Sequence, residues 1–378
     1  MSKNTKHFRS GLLAASLAAV VSICSVMPSC AFYQQPAGKK GILNSGQTEA
    51  HFQDLTDLGV DQVICNIATD QGINAYSQLA SYCKTTGKTL TMIVINRAGA
   101  GELVPTSEAV AGIGAPGTYG FNVLTDSGKA AVRSYAARLA DFYKDSVSNW
   151  VIGNEVNDAV SWDFNGIMDM DAHADTYAEA FRIFYEEIKA VNPEARIFIP
   201  FDNRWQAGGW AAGHYPAAKY LPMLNERLND LDYGVAWHAY PGQYQVRPEF
   251  KDDVGTTQDL STSMLINMNN IHLISDFLQQ PEMLSPAGTV RHLILSEQGF
   301  TSSCENGEER QAQAIADAFA IANADPYIEG FYLTRQVDAA SQVAINCAFG
   351  LRYRDESAGI DEMPAGKKKA WSVYQSLH

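Results

Sequence analysis

Asn149-Trp150-Val151-Ile152-Gly153-Asn154-Glu155-Val156-Asn157 is an apolar run of strand length that breaks at a glycine and opens into polar residues. A strand apolar on successive residues is buried on both faces, so the run predicts a strand of a covered, parallel sheet. Seven further runs rich in Val, Ile, Leu and Phe lie on either side of it, at 41–44, 62–67, 89–96, 196–201, 233–237, 292–296 and 328–333, with the first run itself taken as 149–153. Between them lie stretches with apolar residues three and four apart, among them 127–143, 175–191, 263–278 and 308–324, which predict helices. Strand and helix alternate eight times without a break, and no glycine-rich phosphate loop follows the first strand. That order predicts an α/β fold, a (β/α)8 TIM barrel in a single domain over 32–378, rather than a doubly wound sheet.

The connections after strands are long, at 97–126, 154–174, 238–262 and 334–364, whereas those before strands are short, as at 192–195. Long loops therefore gather at the C-terminal mouth of the barrel, where such folds keep their chemistry. Glu155 leaves the fourth strand at that mouth. His292-Leu293-Ile294-Leu295-Ser296-Glu297-Gln298-Gly299 places Glu297 at the exit of the seventh, across the ring. Two opposed carboxylates suit cleavage of a glycosidic bond, since one protonates the departing oxygen while the other stabilises or traps the oxocarbenium-like centre. Either glutamate alone reads as readily as a helix cap or an arginine partner.

The first 31 residues read as a secretory signal. Lys3, Lys6 and Arg9 precede an uncharged stretch at 11–27 that is too short for a comfortable membrane span, and small residues follow, with cleavage expected after Ala31. An exported, secreted protein with no membrane span in the mature chain is the expectation, lipid attachment at Cys30 being the alternative. The whole chain carries 28 basic and 42 acidic residues. Losing the three basic residues of the signal leaves a net charge of about −17, which repels nucleic acid and anionic lipid and favours a neutral partner. A monomer is expected. Cys65, Cys83, Cys304 and Cys347 remain, in no metal-ribbon spacing; a Cys304–Cys347 bridge between neighbouring loops and free buried thiols both stand as readings.

The strand-four Asn-Glu pair and the strand-seven Glu resemble the clan A glycoside hydrolases, the barrel superfamily of cellulases, mannanases and xylosidases, over nearly the whole mature chain. Five stretches are further similar to one uncharacterised bacterial family placed beside that clan: Tyr119-Gly120-Phe121-Asn122-Val123-Leu124-Thr125-Asp126, Gly153-Asn154-Glu155-Val156-Asn157, Trp237-His238-Ala239-Tyr240-Pro241, Ser296-Glu297-Gln298-Gly299-Phe300 and Arg335-Gln336-Val337-Asp338. The resemblance implies a retaining glycosidase acting on a β-linked carbohydrate, with Glu155 as general acid/base and Glu297 as nucleophile, their carboxyl groups about 5 to 5.5 Å apart. It implies that Asn154 bonds the sugar 2-hydroxyl, and that His238 and Tyr240 contact the nucleophile and the bound sugar, the Tyr240 phenol donating to Glu297. A turn asparagine and a packed histidine are the plainer readings of Asn154 and His238.

Asn96 and Arg97 after strand three, Asp202, Arg204 and Trp205 after strand five, and Arg335 and Gln336 after strand eight are polar or planar groups suited to hydroxyl-rich rings, or else ion pairs and loop anchors. Trp162, Trp205, Trp210 and Trp237 are candidates for stacking, Trp237 from within a strand. Many clan members carry a tryptophan at the end of strand eight, and Phe331-Tyr332-Leu333-Thr334-Arg335 has none. No cofactor and no metal are expected, because His51, His214, His238 and Asp202 make no ligand spacing. A non-catalytic carbohydrate-binding barrel is the alternative function.

Overall fold

The computed structural model describes residues 31–105, 118–208 and 213–378. The 1–30 stretch read as an export signal and the stacking candidate Trp210 lie outside them. Eight parallel strands close a barrel in chain order: β1 (Lys40–Leu43), β2 (Gln62–Ala68), β3 (Thr89–Ile95), β4 (Asn149–Ile152), β5 (Arg196–Phe201), β6 (Tyr233–His238), β7 (Leu293–Gln298) and β8 (Ile328–Leu333), with β8 pairing back onto β1. Around them run α1 (Glu49–Asp57), α2 (Ser77–Thr86), α3 (Asp126–Tyr143), α4 (Met170–Val191), α5 (Ala217–Leu228), α6 (His272–Leu278) and α7 (Gly307–Ala324). The expected (β/α)8 barrel is the fold.

Burial on both faces of the strands produces two cores. Inside the barrel Leu43, Ile64, Ile93, Ile95, Val151, Phe198, Ala236, Ile294 and Tyr332 pack on one another, and the other strand face joins the helices in a second, larger cluster. The interior closes because large and small residues alternate around it. A Cβ on Gly234 would lie 2.5 Å from the Phe198 ring, and one on Gly41 would lie 2.7 Å from Tyr332. The two longest helices of the middle of the chain start on side-chain caps: Thr125 accepts from Gly128 N at 3.0 Å and Asp169 from Ala172 N at 2.8 Å. Each cap satisfies a backbone donor the helix leaves open and contributes about 1 kcal/mol.

Two expectations are corrected. Only His272–Leu278 of the predicted 263–278 helix is helical. Its first half is an irregular segment in which the Ser263 hydroxyl donates to Leu265 O at 2.7 Å, Asn270 Oδ1 accepts from Asn267 N at 3.0 Å, and Asn267 Nδ2 donates to Asp253 at 2.7 Å. Short polar side chains here out-compete the helical ladder, while Ile266, Met268 and Ile271 still turn inward and supply the misleading apolar spacing. The connection after β8 is also more than a loop: it carries α8 (Ala340–Val343) and the hairpin of β9 (Arg352–Arg354) and β10 (Pro364–Lys367), before α9 (Lys369–Ser376) closes the chain. The hairpin is held by Arg352, which pairs with the buried Asp54 of α1 at 2.6 Å. No described helix is long and apolar enough to cross a membrane.

All four described cysteines are free thiols. Cys347 is buried and turned to Ile345 O at 3.6 Å, so the bridge to Cys304 is not made. Burial raises the pKa of both thiols, Cys347 to about 11, which leaves them protonated and unreactive at neutral pH.

Candidate active site

Three strand ends bring the predicted carboxylates together. β4 stops at Ile152, and the chain turns through Gly153 (φ 83°) and Asn154 to Glu155, itself at φ 38°. A non-glycine residue there is strained, and it is held by Asp158 N donating to its carbonyl at 2.7 Å and by Val156 N donating to Pro200 O at 3.0 Å. Glu297 sits near the end of β7, in register with His238 at the end of β6. The irregular pairing between Trp237 and His238 aims the histidine into the mouth.

His238 Nδ1 lies 2.9 Å from Glu155 Oε1 and 3.6 Å from Glu297 Oε2. Those two carboxylate oxygens are therefore no farther apart than the sum of the contacts, about 6.5 Å. On the other side of Glu297 the Tyr240 hydroxyl donates to Oε1 at 2.6 Å. Burial raises the Glu155 pKa above the ordinary carboxylate value; the contact with His238 opposes this, and the charges of Asp202 and Glu297 push it further up. For His238 burial disfavours the charged ring, but Glu297, Glu155 and Asp202 outweigh it and raise its pKa. Burial and then the Glu297 charge hold the Tyr240 phenol well above its usual value, so it stays a donor.

Behind Glu155 stands a charge cluster that sequence reasoning did not assemble. Asp202 accepts from Asn157 Nδ2 at 2.6 Å and from Arg204 N at 2.9 Å, and the Arg204 guanidinium grips both Asp202 and Asp158, the latter at 2.8 Å, and reaches His214 Nδ1 at 2.7 Å. Glu155, Asp158 and Asp202 present oxygens within 4.8 Å of one another, the only such trio of possible metal ligands among the described residues. Arg204 already supplies the positive charge between two of the three. Nothing in the spacing of 155, 158, 202 and 204 announced the cluster, because it forms between two strand ends.

Asn154 is buried in the same turn as Glu155. The remaining candidates are placed elsewhere. Asn96 is a loop anchor: its amide donates to Leu103 O at 2.8 Å and Gly120 O at 2.7 Å and accepts from the Thr69 hydroxyl at 2.8 Å, leaving nothing for a sugar. Gln336 is likewise consumed, donating to His51 O at 2.9 Å and accepting from Ser45 N at 3.2 Å. Trp205 belongs to the core, buried against Phe277 with centroids 5.0 Å apart and its indole N–H on Leu260 O at 2.9 Å. Trp237 is buried too, donating to Ile266 O at 3.0 Å. Arg335 pairs with Glu362 at 2.5 Å, Arg97 is exposed on the loop after β3, and Trp162 is 38% exposed on the loop after β4.

Comparison with solved structures finds the same barrel. A family 39 glycoside hydrolase from the gut symbiont Bacteroides cellulosilyticus WH2 is similar at a TM-score of 0.61 and 15% identity, over 90% of this chain and 63% of that one, so this chain spans less than two thirds of its length. A fungal β-1,4-galactanase is similar at 0.56 and 14%, over 90% and 95%, and a family 1 β-glucosidase from Thermotoga maritima at 0.55 and 14%, over 85% and 84%. At such identities the likeness is one of fold alone, the closed barrel of eight parallel strands. No curated protein is similar in sequence. The model of a family of unknown function, DUF5722, matches residues 69–378.

Proposed function

As this chain belongs to the DUF5722 family of unknown function, we propose from its own site that it is a retaining glycoside hydrolase, exported and acting on a neutral, β-linked oligo- or polysaccharide. One observation carries the reading: a single imidazole touches both glutamates, and caps their nearest oxygens at about 6.5 Å. Inverting enzymes hold their carboxyl groups about 6.5 to 9.5 Å apart to admit a water between base and sugar, whereas about 5 Å leaves room only for direct attack. The cap is reached only if the imidazole nitrogen lies on the line between the oxygens, and a spacing below it accords with attack by a carboxylate.

The roles follow from the surroundings. Glu155, buried and facing Asp202 and Glu297, holds a proton at a pH where an exposed carboxylate has lost it, as a general acid must. Glu297 receives the Tyr240 hydroxyl, which fixes one oxygen and leaves the other to attack the anomeric carbon. In the first step Glu155 gives its proton to the departing oxygen while Glu297 forms the ester. Once Glu297 is esterified its charge is gone, one cause of the raised Glu155 pKa disappears, and Glu155 accepts a proton from the incoming water. The net negative charge of the chain accords with a neutral substrate. The test is a panel of nitrophenyl β-glycosides with chelator present, the first-formed anomer being read by proton NMR. Turnover giving the β anomer is expected; the α anomer as first product, or loss of turnover to chelator, contradicts the proposal, and binding without turnover would make the chain a carbohydrate-binding barrel.

A further inference from the structure

Arg204 spends its donors on its neighbours. Its Nε and Nη2 hold Asp202, the same Nη2 donates to Asp158 Oδ2 at 2.8 Å, and Nη1 donates to His214 Nδ1 at 2.7 Å. A guanidinium only donates, so His214 Nδ1 accepts; the ring is neutral, and its other nitrogen, 3.1 Å from Asp158 Oδ1, carries the proton. Asp202 follows β5, four residues beyond Phe198 of the barrel interior, so strand alternation turns it into the mouth. Asn157 fixes it there, donating to Oδ1 at 2.6 Å and accepting from Asp202 N at 3.0 Å. Asp158 and Asp202 each present an oxygen within 4.8 Å of one on Glu155. Beside Glu155, therefore, stand two carboxylates, one guanidinium and a neutral imidazole, which leave one negative charge in net.

We propose, resting on the glycosidase reading above, that Arg204 is a positioning residue acting on Glu155 through Asp158 and Asp202: it cancels one of their charges, so that Glu155 can give up its proton in the first step and take one back in the second. With its donors engaged, Arg204 offers none to a sugar, and its effect on the reaction passes through the carboxylates it holds. The described groups facing Glu155 are Asp158 in its own loop, Asp202 after β5, His238 of β6, and Glu297 of β7 with Tyr240 behind it. Without Arg204 three carboxylates would surround Glu155 against one imidazole, and like charges at this range hold a proton on an acid. An acid that keeps its proton too firmly is a poor donor to the departing oxygen and is not free to serve as a base. Burial works against the charge of Arg204 itself, but Asp202 and then Asp158 outweigh it, so the cation is permanent.

The experiment reads the proton on Glu155 directly. In protein labelled with glutamate carrying carbon-13 at the side-chain carboxyl, the Glu155 resonance is the one lost in Glu155→Gln, and NMR follows its titration. In Arg204→Met that titration should move to higher pH by about one unit or more, and the alkaline limb of kcat/KM for a nitrophenyl β-glycoside should move with it. Arg204→Lys keeps the charge and loses the fork, so its titration should stay within about half a unit of the unaltered protein while kcat falls. Adding Asp202→Asn to Arg204→Met should bring the titration back down. Where Arg204→Met alone does not fold, Asp202→Asn with and without Arg204→Met makes the same comparison at a better charge balance, and the sign expected is the same. A Glu155 titration that stays or falls when Arg204 is removed overturns the proposal. So does an equal loss of activity in Arg204→Met and Arg204→Lys with the limb in place, which makes Arg204 a structural clamp only. Absence of turnover by the unaltered protein removes the glycosidase reading, while the carboxyl titration still decides what Arg204 does to Glu155.

Discussion

Glu297 has two fixed neighbours, the Tyr240 phenol at 2.6 Å and the His238 imidazole at 3.6 Å, so its loss and the loss of a neighbour have different expected sizes. Glu297→Ala should lower kcat by at least about 10⁴-fold, because covalent catalysis is gone, while thermal unfolding stays cooperative. Near-normal turnover in the folded variant rules the nucleophile out. Tyr240→Phe removes one charge-assisted hydrogen bond and should cost about 10- to 100-fold. The pH profile adds a sign. On the proposed mechanism catalysis needs Glu155 protonated, and its raised pKa should carry the alkaline limb of kcat/KM above the ordinary carboxylate range; Asp202→Asn removes one of the charges that raise it, so that limb should move to lower pH. A limb that stays, or moves up, denies Asp202 this influence. That the two glutamates face one another was legible in the sequence, since either alone reads as a cap or an ion-pair partner but two at the exits of apolar strands four and seven share one mouth. The Arg204 clamp was not: it depends on which loops meet above the barrel, and no periodicity in one segment records its contact with another.

The eight strands were legible because a parallel barrel buries both strand faces and writes that into every residue of the run. Bounds differ by one or two residues, as where β6 runs on through His238 and so carries a polar side chain into the site. The misread stretch was 263–278, where Ile266, Met268 and Ile271 match a helix while Ser263, Asn267 and Asn270 hydrogen-bond a loop into place. Polar residues after strands three, five and eight divide the same way: chemistry made Asn96, Gln336 and Trp205 eligible for a sugar, and geometry gave them to the scaffold. Asn96→Ala orphans two buried carbonyls and should cost about 2–3 kcal/mol by denaturant unfolding. Trp205→Ala should cost about 3–5 kcal/mol. Either variant losing activity with its stability intact would return that residue to the substrate.

As a whole the molecule is one closed barrel, its strands shared between two cores, and His238 at the end of β6 lies between Glu155 after β4 and Glu297 of β7. No cross-link joins the four described cysteines. The denatured polypeptide of residues 32–378 should titrate four thiols without reductant, and reductant should leave the unfolding temperature unchanged; a lower thiol count or a drop on reduction would reinstate a bridge. The assignment of the two carboxylates is tested most directly by azide. In Glu155→Ala, glycosides with good leaving groups still form the ester on Glu297, water attack lacks its base, and the intermediate accumulates as a burst. Azide needs no base, so it should restore turnover and give a glycosyl azide of the same anomeric configuration as the starting glycoside, whereas an inverted azide would mean that Glu155 is the nucleophile and the roles of the two glutamates are exchanged.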